Sequence, residues 1–405
     1  MKTSAFLITL TVMVATPIHA QQRSNYPTVD EPAHFAESYY PETRYREDQT
    51  QAAYLLILLN LLQPQDGVSP EDMAPVNDLR SIGLSERLYE VANRSIEIHN
   101  LEAVLAKYNL VRDAPRAFNE NLVQAQRKLA RNVAEKAELA DITDLAVISF
   151  NHPDPLVRLA AAPLLIVLTD ARPMALEALR RGARSDDDRL ALLALTLLAR
   201  FSPKDSALDA FGDVYPTDPG AKEQPRTTVV IHGTFAQNET WWRNGYPFFE
   251  YLEHDVPITD LFLGDDPYNW SGNWSNTARQ QAAAELVAWY TEHDEKCLNV
   301  VAHSHGSNVA FLADAQLKFG RMIVLSTPYH PNLYSPDADS TILSLRVHMD
   351  LVVLADGGGN RFPQMPKLTE EYIGWFNHSA THDEQRWTSK SVPSMLPGGE
   401  CSNLP

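Results

Sequence analysis

The first half of the chain is patterned as helices. Between residues 51 and 201, apolar side chains recur at helical spacing, as Leu122, Leu129 and Val133 do, without strand-like alternation. The apolar run Tyr54–Leu62 is too short to cross a bilayer, and we expect it to be buried core. The pattern therefore predicts an all-α domain over residues 51–201.

Two segments near the end of this region resemble each other. Each has an acidic turn and an arginine before an apolar helix, and the arginines, Arg158 and Arg189, lie 31 residues apart. The pair resembles HEAT-type repeats and would form stacked helical hairpins near residues 150–201. Because only two units are visible, a short helical bundle accounts for the pattern equally well.

The pattern changes after a segment rich in proline and glycine, residues 202–226, which we interpret as a linker. Short β-rich runs then alternate with helical ones. The predicted strands are Thr227–Ile231, Ile258–Leu263, Leu298–Ala302, Met322–Leu325, Ile342–Val347 and Tyr372–Phe376, and the predicted helices are Asn276–Glu292 and Ser304–Leu317. This alternation implies an α/β domain with a mostly parallel sheet over residues 227–395, followed by a tail over 396–405.

The extreme N-terminus has the pattern of a secretory signal peptide over residues 1–20. Lys2 precedes the apolar run Ala5–Ala15, and Pro17 and the small residue Ala20 follow it. The run is about half the length of a membrane anchor, so we expect cleavage and a secreted or periplasmic protein. The polar, proline-bearing residues that follow, 21–50, predict an irregular arm.

Charge and cysteine content narrow the possible partners. The formal net charge is −18, which argues against a nucleic-acid partner because phosphate binding relies on clustered cations. No apolar run after the signal peptide is long enough for a transmembrane segment. The two cysteines, Cys297 and Cys401, could pair in an oxidising compartment or remain two free thiols.

The strongest chemical signal is a serine between a predicted strand and a predicted helix. The strand Leu298–Ala302 runs into His-Ser304-His-Gly306, a small-x-Ser-x-Gly pattern with Ala302 as the first small residue. Small neighbours are needed because a nucleophilic serine there occupies a sharp, strained turn. Ser304 is therefore the candidate nucleophile, and the His305 N–H, at the helix N-terminus, is a candidate oxyanion donor.

A second element of such a site follows the first predicted strand of the sheet. That strand ends in His232-Gly233, the position that supplies a further oxyanion N–H in hydrolases of this plan, and Thr234 or Phe235 would be the donor. On its own the His-Gly pair could be a simple turn after a buried strand. Its combination with Ser304 favours the catalytic interpretation.

The remaining members of a catalytic triad should follow the nucleophile. Asp350 comes after a predicted strand and is the preferred acid, while Asp356, before a run of glycines, is its competitor. His378 directly follows the last strand-like run and is the preferred base, with His382 in reserve. The chain order Ser304, Asp350, His378 is the one expected for a strand–turn–helix nucleophile of this kind.

These motifs together resemble the α/β-hydrolase superfamily, specifically its compact lipase and esterase members, over residues 222–395. The resemblance implies a serine carboxylic-ester hydrolase in which His378 deprotonates Ser304 and Asp350 orients the imidazole. The substrate would be an acyl ester or lipid. The same triad could instead serve a phospholipase, thioesterase, amidase or acyltransferase.

Other function classes are weaker or remain open. No cofactor motif and no His-Glu-x-x-His metal motif occurs, so we expect neither a cofactor nor a metal. The helical domain could bind a protein partner, with the hydrolase fold kept only as a scaffold. Aromatic residues on the predicted loops, Trp241, Trp242 and Trp270, could line an acyl pocket, or could plug the space between loops and sheet.

Overall fold

The computed structural model describes residues 44–397 except 66, 75, 83, 85–87, 90, 92–94, 111–119, 212–226, 257, 259–260, 265–266, 294–296 and 338. The predicted signal peptide, most of the predicted arm and linker, and the end of the tail lie outside the described residues. Cys297 is disulfide-bonded, and the other cysteine of the chain, Cys401, lies outside the described residues.

The described chain is helical up to Phe201, and helices and strands alternate from Thr227 onward. The helices are α1 (Arg44–Leu62), α2 (Pro70–Met73), α3 (Val76–Ser81), α4 (Leu101–Lys107), α5 (Glu120–Lys136), α6 (Leu139–Phe150), α7 (Pro155–Leu168), α8 (Arg172–Gly182), α9 (Asp188–Phe201), α10 (Pro247–His254), α11 (Asn276–Glu292), α12 (His305–Leu317), α13 (Leu351–Asp356) and α14 (Glu384–Ser389).

Helix α1 begins earlier than its apolar pattern indicates. Residues 44–50 were predicted as part of the irregular arm over 21–50, and they are instead the first turns of the helix. Glu47 of these turns has a partner on another helix, since Arg127 of α5 donates to it at 3.0 Å. Pairing of this kind stabilises a helix that hydrophobic periodicity does not reveal.

The helices α1 and α4–α9 form a layer, the helical layer, with its own core. All residues of the run Tyr54–Leu62 are buried, in agreement with the expected core position, and α1 packs against α7. From α5 to α9 each helix packs on the next one along the chain. Short loops between successive helices account for this neighbour-to-neighbour order.

The two similar segments begin α7 and α9 with the same type of cap. The Asp154 side chain accepts a hydrogen bond from the Leu156 N–H, and the Asp187 side chain accepts one from the Arg189 N–H. Each acidic turn therefore satisfies a backbone donor that the helix itself leaves unpaired. The assignment to HEAT-type repeats stays a prediction.

The second half of the chain contains a five-stranded parallel sheet in the strand order β1-β2-β3-β4-β5. The strands are β1 (Thr227–Ile231), β2 (Leu298–His303), β3 (Met322–Leu325), β4 (Ile342–Val347) and β5 (Leu368–Gly374). The protein is thus an α/β structure preceded by helices. Parallel pairing of consecutive strands requires crossovers, which α11 supplies between β1 and β2 and α12 supplies between β2 and β3.

Two predicted strands differ from the structure. In the predicted strand Ile258–Leu263, only Leu261 pairs among the described residues, through an isolated parallel bridge to Thr228. The predicted strand Tyr372–Phe376 begins and ends later than β5 does. Both errors have one cause. Leu261 is buried against a face of the sheet and Phe376 in the core of the helical layer, and an apolar run alone does not distinguish such packing from strand pairing.

The sheet separates two apolar clusters. Val229 and Ile231 of β1 face the cluster formed with α11 and α12, while Val230 faces the cluster formed with α10 and α14. Alternate side chains of a strand point to opposite faces, and helices cover both faces. The strands are therefore buried on both sides, and their carboxyl ends emerge at one edge.

The helical layer covers this carboxyl edge through the short helix α13. Leu351 and Leu354 of α13 belong to the core of the helical layer. The Asn60 side chain donates to the Leu354 carbonyl at 2.8 Å, and Arg200 donates to the Ala355 carbonyl at 3.2 Å. None of the described helices is both long enough and apolar enough to span a bilayer.

A buried ion pair between β4 and β5 yields a stability prediction. Arg346 is fully buried, and its Nε donates to Glu370 at 2.7 Å. We expect Glu370→Gln to lower the free energy of unfolding by about 3 kcal/mol, because it leaves a buried cation without its counter-ion. Denaturant unfolding measures this change. Glu371→Gln, the same substitution one residue along, should change it by less than about 1 kcal/mol; equal effects would contradict the prediction.

Candidate active site

Ser304 occupies the turn between β2 and α12. Its backbone lies at φ 53° and ψ −130°, a region that non-glycine residues rarely adopt. A hydrogen bond from the Ser304 N–H to the Leu325 carbonyl at the end of β3, at 2.7 Å, stabilises this strained conformation. The turn thus directs the serine away from the strand at the carboxyl edge of the sheet.

Two glycines allow the chain to pass this closely around Ser304. A Cβ at Gly306 would lie 2.4 Å from the His232 carbonyl oxygen, and a Cβ at Gly233 would lie 2.8 Å from the Ser304 Cβ. Neither distance is tolerated by a real side chain, and at Gly306 the obstacle is backbone. The small residues in both motifs are therefore required by the approach of the β1 and β2 termini.

Asp350 and His378 are brought together beside this turn. The His378 Nδ1 lies 2.8 Å from the Asp350 Oδ2, and both side chains are buried. The other carboxylate oxygen accepts the N–H groups of Val352 and Val353, so Asp350 also caps α13. With its Nδ1 proton donated to the carboxylate, His378 keeps Nε2 as a proton acceptor, and it lines the same cavity as Ser304.

The two competitors have other partners. Asp356, the competing acid, contacts His305 at 3.0 Å and His330 at 2.6 Å rather than His378. His382, the reserve base, has its ring stacked on Trp241 at a centroid distance of 4.4 Å. Burial lowers the pKa of His382 to about 3, with a further contribution from nearby His378, so this ring is neutral at ordinary pH.

The candidate oxyanion donors separate into occupied and available groups. The Phe235 N–H donates to the Gly272 carbonyl at 2.9 Å, which corrects its assignment as a possible donor. The N–H groups of Thr234 and His305 donate to no acceptor in the part of the chain that the structure describes. A loop-to-loop hydrogen bond of this kind is not visible in sequence, which explains the error for Phe235.

Ser304 and His378 open into a cavity of about 380 Å³ between the helical layer and the sheet. Thr234, Phe235 and His305 also line it, and its other walls include Trp274, Arg279, Pro328, His330, Leu333, Val352, Val353 and Asp356. The helical layer contributes one side through α9, with Leu192, Thr196, Ala199 and Arg200. The helical layer is thus part of the wall of the site.

The three predicted pocket tryptophans, Trp241, Trp242 and Trp270, do not line this cavity. Trp242 and Trp270 lie on His232 with ring centroid distances of 4.7 and 5.7 Å, and the Trp270 Nε1 donates to the His232 carbonyl. Trp241 stacks on His382 instead. Trp242 and Trp270 are buried and Trp241 is half-buried, and since none of the three lines the cavity beside Ser304, the prediction that they form its acyl pocket was wrong.

His305, Asp356 and His330 form a cluster on the cavity wall whose residue types could ligate a metal. The hydrogen-bond partners of His305 indicate a hydrogen-bonded cluster rather than a metal site. Asn308 donates to the Pro328 carbonyl at 3.1 Å through the same amide nitrogen that lies 2.8 Å from His305 Nδ1. The His305 Nδ1 is therefore a hydrogen-bond acceptor. Its Nε2 carries the proton and donates a hydrogen bond to Asp356, whereas a metal would need the lone pair of Nε2.

The electrostatics of this cluster follow from burial and pairing. Burial lowers the pKa of His305 to about 3, aided by the charge of Arg279, so His305 is neutral. The pKa of Asp356 is held well below its usual range, because the two histidines outweigh the effect of burial. Asp356 is consequently an ionised carboxylate between two imidazoles.

Among the wall residues that sequence reasoning missed, three have titratable side chains: Arg200, Arg279 and His330. Arg279 could have been noticed in the sequence, because it lies near the N-terminus of α11, where a cation is unfavourable for the helix dipole. Arg200 carried no such signal, because a cation in the last turn of a helix such as α9 is ordinary. Its role depends on how the helical layer is placed over the sheet.

The buried histidines predict acid destabilisation. His382 stays neutral in the folded protein down to about pH 3, whereas in the unfolded chain it takes up a proton below its ordinary pKa of 6.5. The free energy of unfolding should therefore fall on acidification, by up to about 2 kcal/mol for such a histidine between pH 7 and pH 5. His382→Phe keeps the stacked ring and should remove the contribution of His382 to this decrease in the free energy of unfolding, measured by denaturant unfolding at both pH values.

The control is His254→Gln, at an exposed position, which should show the full decrease in the free energy of unfolding. An equal loss of pH dependence in both variants would contradict the role of burial.

No family model and no curated protein matches this sequence. Among solved structures, the chain is similar to a metagenome-derived lipolytic enzyme, reported in a study of two such enzymes, LipS and LipT. The two are 12% identical, and the match covers 45% of this chain and 100% of the other, with a TM-score of 0.28. A likeness this weak carries no argument about activity.

Proposed function

We propose that the protein is a serine hydrolase of carboxylic esters built on an α/β-hydrolase fold. The observation that carries this proposal is the hydrogen bond between His378 and Asp350, which lie beside a cavity shared with Ser304 on a strained turn. Structural ion pairs between histidine and aspartate are common, but they do not require a serine at positive φ. The combination is what acyl transfer needs.

The chemistry follows from the proton positions. His378 Nε2 accepts the Ser304 proton as the hydroxyl oxygen attacks the ester carbonyl, and Asp350 stabilises the imidazolium that results. The developing oxyanion is received by the N–H groups of His305 and Thr234, the former at the positive end of α12. His378 then protonates the departing alcohol, and water attacks the acyl-enzyme by the reverse path.

The helical layer has a direct part in this proposal. Because α9 forms one wall of the cavity, the layer restricts the size of the acyl or alcohol group that reaches Ser304. This makes it a fixed cover of the site. Binding of a protein partner through the same layer, and secretion after removal of residues 1–20, are proposals that rest on the sequence alone.

The triad can be tested by covalent labelling and by turnover. Wild-type protein should react with a fluorophosphonate probe and hydrolyse short para-nitrophenyl esters, and Ser304→Ala should abolish labelling. Ser304→Ala, His378→Ala and Asp350→Asn should each lower kcat by about a thousandfold or more, without additivity, because the residues act as one unit. Stopped assays and labelling gels measure both.

His382→Phe serves as the matched control for the base, because the two histidines lie four residues apart. It should retain the label and most of the turnover. Full activity in His378→Ala would move the base to His382, and a labelled serine other than Ser304 would refute the site. Turnover of amides or thioesters in preference to every ester would replace the ester assignment while keeping the triad.

The wall formed by α9 gives a further prediction. Thr196 lines the cavity, and its hydroxyl donates to the carbonyl four residues earlier. Thr196→Phe should narrow the cavity and shift kcat/KM toward shorter acyl chains by about tenfold, the discrimination that steric fit usually provides. Thr291→Phe on α11 removes a hydroxyl with the same backbone bond at an exposed position, and should leave the chain-length preference unchanged. An equal shift in both variants would contradict the role of α9.

A further inference from the structure

The cavity beside Ser304 has a charge opposite to that of the protein as a whole. Its wall carries two arginines, Arg200 and Arg279, and one carboxylate, Asp356, so with neutral histidines its formal charge is +1. The chain has a formal charge of −18. A cationic pocket in so acidic a protein attracts anions locally, although the surface as a whole repels them.

The neighbouring cavity sharpens this contrast. It shares His378, Val352 and Leu192 with the first one, so the two meet at the proposed base. Its wall carries the carboxylates of Asp154, Asp187, Asp188 and Glu239 and a single arginine, Arg189. An anionic group is therefore favoured on one side of His378 and disfavoured on the other.

Arg279 is held with one edge of its guanidinium unused. The residue is 6% exposed, and its Nη1 donates to the Asn276 Oδ1 at 2.9 Å and to the Tyr334 hydroxyl at 3.0 Å. Tyr334 donates in turn to Asn276, which fixes the arrangement. The Nε and Nη2 atoms, which form the opposite edge, make no hydrogen bond with the described residues, and Arg279 has no ion pair among them. That edge carries the two parallel N–H directions that pair with a carboxylate or phosphate, and its Nε is fully buried without a partner among the described residues.

Arg200 adds a second positive charge to the cavity wall, and no acidic side chain among the described residues forms an ion pair with it. Among the described residues its guanidinium donates to neutral acceptors, namely the Asn60 side chain and the carbonyls of Gln63 and Ala355. Burial lowers its pKa to about 10, so it remains a cation at neutral pH, and the nearby Asp356 opposes this shift. Asp356 itself is hydrogen-bonded to two histidines, and one carboxylate cannot balance the guanidinium groups of both Arg200 and Arg279.

We propose that Arg279, with Arg200 as the second cation of the same wall, binds an anionic oxygen group of the substrate, a carboxylate or a phosphate, beside Ser304. The inference deepens the proposed ester hydrolase by naming its substrate class: esters that carry a second, negatively charged group. A buried arginine without a counter-ion is costly, and a substrate anion would supply the missing partner.

The binding test uses ligands that need no turnover. Calorimetry on the wild-type protein should show glutarate or glycerol phosphate binding at least about tenfold more tightly than glutaramide or glycerol, their uncharged counterparts, and the tighter anion identifies the group. Arg279→Gln should remove this preference, and Arg279→Lys, which keeps the charge but loses the fork, should retain part of it. Arg131→Gln, which removes a charge from an exposed position on α5, should retain it in full.

Competition links the anion to the reaction. The bound anion should inhibit hydrolysis of an uncharged para-nitrophenyl ester competitively, because both occupy one cavity, and Arg279→Gln should raise its inhibition constant about tenfold. If Arg279→Gln does not fold, Arg279→Lys tests the fork alone, and it should raise the inhibition constant by a smaller factor because the charge is preserved.

The proposal is overturned if the anions bind no more tightly than their uncharged counterparts, or if Arg279→Gln and Arg131→Gln keep the same preference. Fluorophosphonate labelling of Ser304 separates the two ideas. Labelling without anion preference removes the substrate class and leaves the hydrolase, whereas anion preference without labelling removes the hydrolase and leaves the binding site.

Discussion

The packing of helix α13 against the helical layer is the interaction on which the site depends. This helix of only six residues begins after Asp350 and ends at Asp356, so it carries both carboxylates that organise the cavity. So short a helix is marginal by itself, and it is held by the burial of Leu354 and by donors from α1 and α9 to its last carbonyls. The helical layer therefore positions the acid of the proposed triad as well as covering it.

The second constraint is the close crossing of β1, β2 and α12 around Ser304. Gly233 and Gly306 leave no room for a Cβ, and the positive φ of Ser304 is held by the bond to Leu325. Strain of this kind persists only where the surrounding structure determines it, and here the parallel strands on both sides of β2 do so. The same geometry leaves the His305 N–H at the end of α12 without an acceptor among the described residues. A strained serine and an unused donor thus arise from one turn.

Local chemistry was predictable from sequence, whereas three-dimensional partnership was not. Strand bounds such as those of β1 and β4 follow from signals that lie within a few residues of each other along the chain. Asp350 and His378 lie 28 residues apart, and each was chosen because it follows a strand-like run in the chain order expected after Ser304. The predicted tryptophan pocket failed because burial of an aromatic side chain looks the same in sequence whether it lines a cavity or fills a core. Arg200 was missed because its position over the sheet depends on how two parts of the chain pack.

The charges of the site also explain why two acids so close in sequence have different roles. Asp350 is fully buried and accepts hydrogen bonds from the His378 imidazole and from two backbone N–H groups. These bonds fix its orientation toward His378. Asp356 lies one helix length away, between His305 and His330, and faces the arginines of the cavity. If Asp356 paired with Arg279, the open edge of that guanidinium would be occupied, and only Arg200 would remain uncompensated in the cavity wall. Asp356 is instead hydrogen-bonded to His305 and His330, so it leaves that edge of Arg279 open and the cation beside Ser304 available.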